Sequence, residues 1–513
     1  YEGGQPLRKP IHLSTPGPAS DRSPPRLKIQ SARWLKIPSA RTSTRSNSES
    51  RSARNTRSSH PLSAPIKAVR EQRSDAVAEH AVITSYGTEE ANPCLSNIRQ
   101  LQSLEDAMTV MTRLPGFEDC PPESEGGDLL IPTPEHGRLC FDVVRAVFDG
   151  YLHRNLSCPE FRSIATASVI LVNHPADRHG HSFPTPVLAV PGARPRGFFA
   201  VIPAGAGRRV TANSIAAYLK TEPIVIEVAT QDGQLGRYLQ LPAMRIAWPA
   251  RGSLRSFAKA FIANVDAAVG TTYLARNRGA LHRGEQEVIA ALCAFAVALN
   301  LGVLIVERIN TRDARGRDAE TLWDVLGQFT SATGIPVLCF GTPGAAAALS
   351  EQSSAIGELV THSVYSLPAD IPTSEVWCLF AKVIFAKYLK DVVGSNEPDW
   401  FTERLWQESL GHYRLAKKAC IHVSSKLRAA ESSQLSPEDF VRYAKDALTL
   451  EQPHLRAIGL WRKGGGRFTA TSIRRHGDWL PLDALMTTVP GLVEEYGHPA
   501  LIASDSGAEA QRA

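Results

Sequence analysis

The stretch GFFAVIPAGAGRRVTANSIAAYLK, residues 197–220, decides the fold of this chain. It begins with an apolar run typical of a buried strand, continues through a turn with two glycines, and ends in a segment of helical composition. Turns of this kind bind phosphate in many proteins, because backbone N–H groups at the helix N-terminus face the anion. The stretch therefore predicts an α/β core with a candidate phosphate loop.

Strands and helices continue to alternate after this stretch. Short apolar runs predict the strands, and longer segments with helical spacing separate them. The predicted strands are 222–229, 241–248, 302–309 and 335–341, and the predicted helices are 253–270, 285–300 and 321–334. This alternation predicts a parallel sheet with helices on both faces, because parallel strands need crossover connections that cover the sheet.

Composition divides the chain into five segments. The first is rich in Ser, Arg and Pro and has too little apolar surface to offset its chain entropy, so disorder is predicted. Four helices are predicted beyond residue 372, and one begins with Ser-Pro-Glu-Asp, a helix start signal. The predicted organisation is a disordered basic arm (1–74), an N-terminal mixed region (75–196), an α/β core (197–371), a helical lid domain (372–452) and a C-terminal tail (453–513).

The modest net charge of +6 hides a division of charge along the chain. Residues 1–74 carry 15 basic and 4 acidic side chains, whereas the remainder carries 42 basic and 47 acidic ones. The arm is therefore either a phosphate-binding segment for nucleic acid or a solvated linker, and the sequence favours neither. The same alternatives apply to the basic stretch 460–477. No run of ~18 apolar residues occurs, so no membrane partner is expected.

Composition and cysteine usage exclude several classes of protein. Hydrophobic residues make up 43% of the chain, which excludes a small disulfide scaffold and a wholly disordered protein. The eight cysteines include no C-x-x-C pair, so free thiols in a reducing cytoplasm are expected. The segment 172–195 contains His174, Asp177, His179 and His181, for which a solvated polar loop is a better interpretation than a metal site. No metal site is predicted.

The candidate phosphate loop departs from the pattern G-x-x-x-x-G-K-[ST]. Gly205 and Gly207 are present, but Ile202 replaces the first glycine, and Arg208 and Arg209 replace the lysine and the hydroxyl residue. Two later strands end in polar residues, where such folds place a metal-site carboxylate and a phosphate sensor. The candidate nucleotide-binding residues are Gly205, Ala206, Gly207, Arg208, Arg209, Val210, Thr342 and Arg414, and the degenerate catalytic positions are Glu307 and Arg308.

Six stretches of the sequence together indicate a protein family by their order and spacing, although no single stretch is decisive. They are TPEHGRLCFDVVRAVFDGYLHRN, LPAMRIAWPARGSLRSFAKAFIANVDAAVGTTY, LNLGVLIVERIN, TGIPVLCFGTPGA, LWQESLGHYRLAKKACIHVSSKL and LEQPHLRAIGLWRKG. Together they resemble the TnsC/TniB group of AAA+ ATPases, which regulate transposition. The resemblance runs from about residue 110 to about residue 470.

The resemblance implies an AAA+ P-loop-type parallel sheet followed by a helical lid domain. Members of the group bind ATP, assemble as oligomers on DNA and connect target selection to the transposase. The resemblance therefore implies ATP as the ligand, a homo-oligomer or hetero-oligomer, and DNA, a transposase and target-selector proteins as partners. It also implies a DNA-associated location in a bacterial cytoplasm.

The departures from the group concern hydrolysis. Arg208 can still bind phosphate, but Arg209 offers no oxygen to Mg²⁺, so bound Mg²⁺ is not expected. Glu307 stands where the group has Asp, and Arg308 stands where it has the Glu that orients water. The stretch 345–359 contains no Arg to complete a neighbouring subunit's site, a contribution that can be worth ~10³–10⁵ in rate. The sequence therefore predicts impaired or lost ATP hydrolysis.

Two classes of function follow from these observations. The first is a transposition regulator of the TnsC/TniB type with little or no ATP turnover. The alternative is a non-enzymatic DNA-binding or protein-interaction scaffold built on an inactivated ATPase core. A gene copy that has lost its function is a third interpretation of the same departures.

Overall fold

A computed structural model describes seven ranges of the chain: 92–112, 129–173, 189–229, 235–276, 284–394, 396–464 and 469–486. The basic arm 1–74 and the polar residues His174, Asp177, His179 and His181 lie outside them. Within these ranges, no helix is long and apolar enough to cross a membrane. The same ranges contain no group of three or more His, Cys, Asp or Glu side chains that could hold a metal ion.

The strands form one parallel sheet and one antiparallel pair. They are β1 (Gly197–Val201), β2 (Ile224–Ala229), β3 (Leu235–Gln240), β4 (Ala243–Ala247), β5 (Val303–Ile309), β6 (Val337–Gly341) and β7 (Tyr365–Ser366). The parallel sheet has the order β4-β5-β6-β1-β7, so the first strand lies between the last two strands of the sheet. Because these strands are parallel, the carboxyl ends of β1, β5 and β6 lie at the same edge of the sheet.

The helices of the described ranges fall into three groups. Those of the α/β part are α1 (Leu104–Thr112), α2 (Pro134–His153), α3 (Pro159–Asn173), α4 (Arg208–Leu219), α5 (Leu254–Val269), α6 (Tyr273–Arg276), α7 (Glu285–Ala298), α8 (Thr311–Ala314), α9 (Ala319–Thr333), α10 (Pro343–Ser350) and α11 (Ser353–Leu359). A helical part follows with α12 (Glu375–Tyr388), α13 (Lys390–Val393), α14 (Phe401–Ser409), α15 (Tyr413–Ala429) and α16 (Pro437–Ala447). The last three are α17 (Gln452–Arg462), α18 (Ala470–His476) and α19 (Leu482–Met486).

Alternate residues of the central strands enter two different cores. On β1, Phe198 and Ala200 pack with α1, α2 and α4, whereas Phe199 and Val201 pack with α5, α7, α9 and α10. Side chains of a strand point alternately to the two faces of a sheet, so helices cover both faces here. The predicted parallel sheet with helices on both faces, followed by helices, is confirmed.

The strand predicted at 222–229 differs from the prediction in its partner. It does not join the parallel sheet but pairs antiparallel with β3, a strand that was not predicted from the sequence. Val225 and Leu235 are 59% and 65% exposed, and Glu227 pairs with Arg237 on the surface. A strand of a doubly covered sheet would be buried on both faces, so this half-exposed pattern belongs to a surface ribbon.

The helical part has its own apolar core. Its largest buried side chains include Trp377, Phe385, Phe401 and Phe440, from α12, α14 and α16. The helix start predicted at Ser436 is present: its hydroxyl accepts a hydrogen bond from the N–H of Asp439. Much of the basic stretch 460–477 is itself helical, because it contains the end of α17 and the whole of α18.

Candidate functional site

A cleft of about 470 Å³ lies between the carboxyl edge of the parallel sheet and the helical part. Its walls differ in chemistry. One is cationic and comes from the loop after β1, the end of β5 and the start of α15. The other is apolar and consists of Leu129, Leu130, Ile131, Phe380, Ile384 and Ile421.

The loop between β1 and α4 has the backbone shape that its glycines allow. Gly205 and Gly207 have φ values of +82° and +103°, in the region that side chains disfavour. Helix α4 begins immediately afterwards, at Arg208. Within the described ranges, no hydrogen bond is donated by the backbone N–H groups of Gly205, Gly207, Arg208, Arg209 or Val210. Unpaired N–H groups at the start of a twelve-residue helix make a ready site for an anion.

Cationic side chains dominate the same end of the cleft. Arg208, Arg209, Arg308 and Arg414 line it together with Lys417 and Lys418. Arg208 donates from Nη1 to the carbonyl oxygen of Ile309 at 2.9 Å, and burial lowers the pKa of this guanidinium. Arg209, Arg308 and Arg414 are exposed and form no ion pair with any residue of the described ranges. Their charge is therefore available to a ligand.

The carboxylate at the metal position already has a cation. Glu307 is only 8% exposed, and its Oε1 accepts a hydrogen bond of 2.5 Å from Nε of Arg245. Arg245 lies on the neighbouring strand β4, two residues before the partner of Glu307 in the parallel register. Arg245 was not predicted as a site residue, although an Arg in the middle of an apolar strand was a visible signal. The pair removes Glu307 from the set of free metal ligands.

Arg308 interrupts β5. Its φ is +62°, and the pairing of β5 with β6 is irregular between Val306 and Ile309. Left-handed backbone is uncommon for residues other than glycine and clusters at functional sites. The irregularity places a guanidinium in the cleft where the related pattern has a carboxylate.

Thr342 directly follows β6 and contacts a partner that was not predicted from the sequence. Its hydroxyl caps α10 by accepting from the N–H of Ala345, and donates to Oδ1 of Asp478 at 2.6 Å. The same Oδ1 accepts from the N–H and the hydroxyl of Thr311, at 2.8 and 2.6 Å. No local signal marks Asp478, because it lies 136 residues from Thr342 in the chain.

The helical part is tied directly to the candidate phosphate loop. Nδ1 of His412 lies 2.8 Å from the carbonyl oxygen of Ala204, and the N–H of Arg414 donates to the carbonyl oxygen of Gly205. Burial lowers the pKa of His412 to about 4. The ring is therefore neutral at neutral pH, and its Nδ1 must carry the hydrogen because a carbonyl only accepts.

The cleft gathers most of the predicted site residues. It is lined by Gly205, Gly207, Arg208, Arg209, Val210, Glu307, Arg308 and Arg414. Two predicted residues are placed differently. Ala206 is buried at 4% exposure, and Thr342 is engaged with Asp478 beside the cleft. Neither position 209, which has no hydroxyl, nor Glu307, which is paired with Arg245, offers a free oxygen to Mg²⁺.

Comparisons with known proteins show little. No protein-family profile and no curated protein matches the chain. Two solved structures of the Aeropyrum pernix ORC2 protein are similar to it in part. The structure described as ADPNP-ADP complexes is 14% identical, covers 60% of this chain and 76% of that one, and has a TM-score of 0.33. The structure described as the ADP form is 13% identical, covers 62% of this chain and 78% of that one, and has a TM-score of 0.32. Scores this low carry no argument, so the fold assignment rests on the strand order and the two covered faces of the sheet.

Proposed function

We propose that this protein is a transposition regulator of the TnsC/TniB type that binds a nucleotide in the cleft and hydrolyses it poorly or not at all. The observation that carries the nucleotide part is the set of unpaired N–H groups at Gly205 and at residues 207–210, beside three exposed arginines in one cleft. Each of these features favours a multiply charged anion.

The apolar wall supports a nucleotide over a simple phosphate. Leu129, Ile131, Phe380 and Ile384 line the cleft together with the arginines. A purine base is flat and largely apolar, so it suits such a wall while its phosphates lie on the loop. The volume of about 470 Å³ is within the range of roughly 300–1,000 Å³ that small-molecule sites occupy.

Hydrolysis lacks three of the parts that phosphoryl transfer uses. Arg209 has no oxygen for Mg²⁺, Glu307 is held by Arg245, and Arg308 carries a positive charge where a carboxylate would orient water. Positioning and charge stabilisation supply nearly all of the catalysis in this reaction class. We therefore assign the cleft a binding role and derive no step through Mg²⁺.

The chain is expected to release no phosphate from ATP above background, with or without DNA and Mg²⁺. The triple variant Arg208→Lys, Arg209→Thr, Arg308→Glu is expected to bind nucleotide without efficient turnover, since Arg245 still pairs with Glu307. Phosphate release can be followed with a coupled assay. Adding Arg245→Leu to the triple variant tests the pair directly. Efficient Mg²⁺-dependent turnover by the unaltered chain would refute the loss of hydrolysis.

The DNA-associated part of the proposal has support on the surface. Arg251 and Arg255 follow β4, Arg312 and Arg317 follow β5, and all four are exposed. The two loops are packed together, because the N–H of Arg251 donates to Oδ1 of Asp313. Clustered arginines favour the phosphate backbone of nucleic acid.

We expect the protein to bind duplex DNA more tightly with nucleotide than without it. Deletion of 1–74 should reduce the steepness with which affinity falls with salt, by about 0.9 in log–log slope for each DNA phosphate that the arm neutralises. Fluorescence anisotropy across a salt series measures both effects. DNA binding that is indifferent to nucleotide would favour the scaffold alternative, and an unchanged salt slope would exclude the arm from the interface.

A further inference from the structure

Asp478 lies at the edge of the sheet where the strands β1, β5 and β6 end. Its carboxylate accepts three hydrogen bonds, from the N–H and hydroxyl of Thr311 and from the hydroxyl of Thr342. Its carbonyl oxygen accepts a fourth, of 2.7 Å, from the N–H of Ala204 in the phosphate loop. One residue thus contacts the segments that follow all three strands.

Packing holds the segment around Asp478 in place. The carbonyl of Gly477 accepts from the N–H of Gly344, and Leu480 is fully buried against α10 and α17. The ring of Trp479 stacks on His454, with centroids 5.0 Å apart and planes at 16°. The position of Asp478 therefore does not depend on its own hydrogen bonds alone.

The donors on this side of the loop are already used. Ala204 comes directly before Gly205, where the unpaired N–H groups begin. A phosphate chain lying on those groups meets free N–H donors at Gly205 and at residues 207–210, whereas the N–H of Ala206 donates to the carbonyl oxygen of Pro203. Towards the ends of β5 and β6, the donors of Ala204, Thr311 and Thr342 are committed to Asp478.

The carboxylate also supplies negative charge at this edge. The negative charges of Asp478 and Glu307 both favour the charged form of Arg208 and so oppose the lowering of its pKa by burial. A terminal phosphate placed beside Thr342 would have to share that cation with Asp478. It would also be repelled by the carboxylate at close range, where water is partly excluded.

We propose that Asp478 determines the specificity of the cleft, so that it takes a nucleoside diphosphate and discriminates against the triphosphate. This inference rests on the proposed nucleotide site. Asp478 lies beside the cleft and already accepts the hydrogen of the Thr342 hydroxyl, so a third phosphate that extends to this edge would compete with it. A diphosphate that lies on the loop would not reach this edge.

Calorimetric titration of the full chain with ADP and with ATP, in EDTA, tests the specificity. We expect ATP to bind the unaltered chain at least ~10-fold more weakly than ADP. In Asp478→Asn the side chain keeps an acceptor for Thr311 and loses its charge. This variant should gain ATP affinity by ~10-fold while its ADP affinity stays within about twofold. Asp478→Ser, smaller and also neutral, should show the same change.

The control is Asp391→Asn, which makes the same charge change on the exposed helix α13 and should alter neither affinity. Equal ADP and ATP binding by the unaltered chain, or parallel changes for both ligands in the Asp478 variants, would overturn the specificity and leave the nucleotide site standing. If neither ligand binds the unaltered chain, the nucleotide site itself fails. Circular dichroism of each variant establishes that the fold is retained.

Discussion

Charge reversal of both Arg209 and Arg414, as Arg209→Glu and Arg414→Glu, is expected to weaken ADP binding at least ~100-fold. The two side chains line the same end of the cleft, from the phosphate loop and from α15. A hydrogen bond to a charged group contributes about 1.5–3 kcal/mol, and each reversal also adds repulsion. Because both residues are exposed, the fold should tolerate the change. Calorimetry or competition against a fluorescent nucleotide measures the loss.

The matched control reverses two exposed cations elsewhere, as Lys426→Glu and Arg456→Glu. Lys426 lies on the same helix as Arg414, about 18 Å along its axis, and Arg456 lies on α17. The control changes the net charge equally and should leave ADP affinity nearly unchanged. An equal loss of ADP affinity in both double variants would attribute binding to the overall electrostatic field of the protein. Full ADP affinity in the cleft variant would exclude the cleft as the ADP site.

Acidification is expected to remove about 5 kcal/mol from the free energy of unfolding between pH 7 and about pH 4.5. Burial lowers the pKa of both His136 and His412 from 6.5 to about 4. Between these pH values the two histidines bind protons in the unfolded chain but stay neutral in the folded chain. The stability that the two neutral histidines contribute is therefore fully present above about pH 6.5 and is lost as the pH falls towards 4. Each histidine accounts for roughly 2–3 kcal/mol. Urea unfolding at a series of pH values measures the loss.

The double variant His136→Asn, His412→Asn separates this effect from the titration of carboxylates. Asn can accept from Thr133, as Nδ1 of His136 does, and can donate to Ala204, as Nδ1 of His412 does. The variant should be less stable than the unaltered chain at pH 7 but lose less stability on acidification. Equal losses in the two proteins would show that these histidines do not govern the pH dependence.

Local patterns in the sequence predicted most of the core. The apolar runs at 197–203, 302–309 and 335–341 became β1, β5 and β6, because central strands of a covered sheet must be apolar on both faces. The glycines at 205 and 207 likewise predicted the turn, since few other residues adopt its φ values. The partner of the strand at 222–229 could not be predicted in this way. An apolar run does not state whether the next strand to pair with it is parallel or antiparallel.

The sequence by itself determined the α/β core, the candidate loop and the replacements at Arg208, Arg209 and Arg308. These features depend on residue type and short spacing, which act over a few neighbouring residues. Only the tertiary structure decided that Arg245 pairs with Glu307, across 62 residues, and that Asp478 meets Thr342, across 136. The ends of parallel strands converge at one edge of the sheet, and the last helices pack back against it. Contacts made there depend on strand order and packing, which no local pattern encodes.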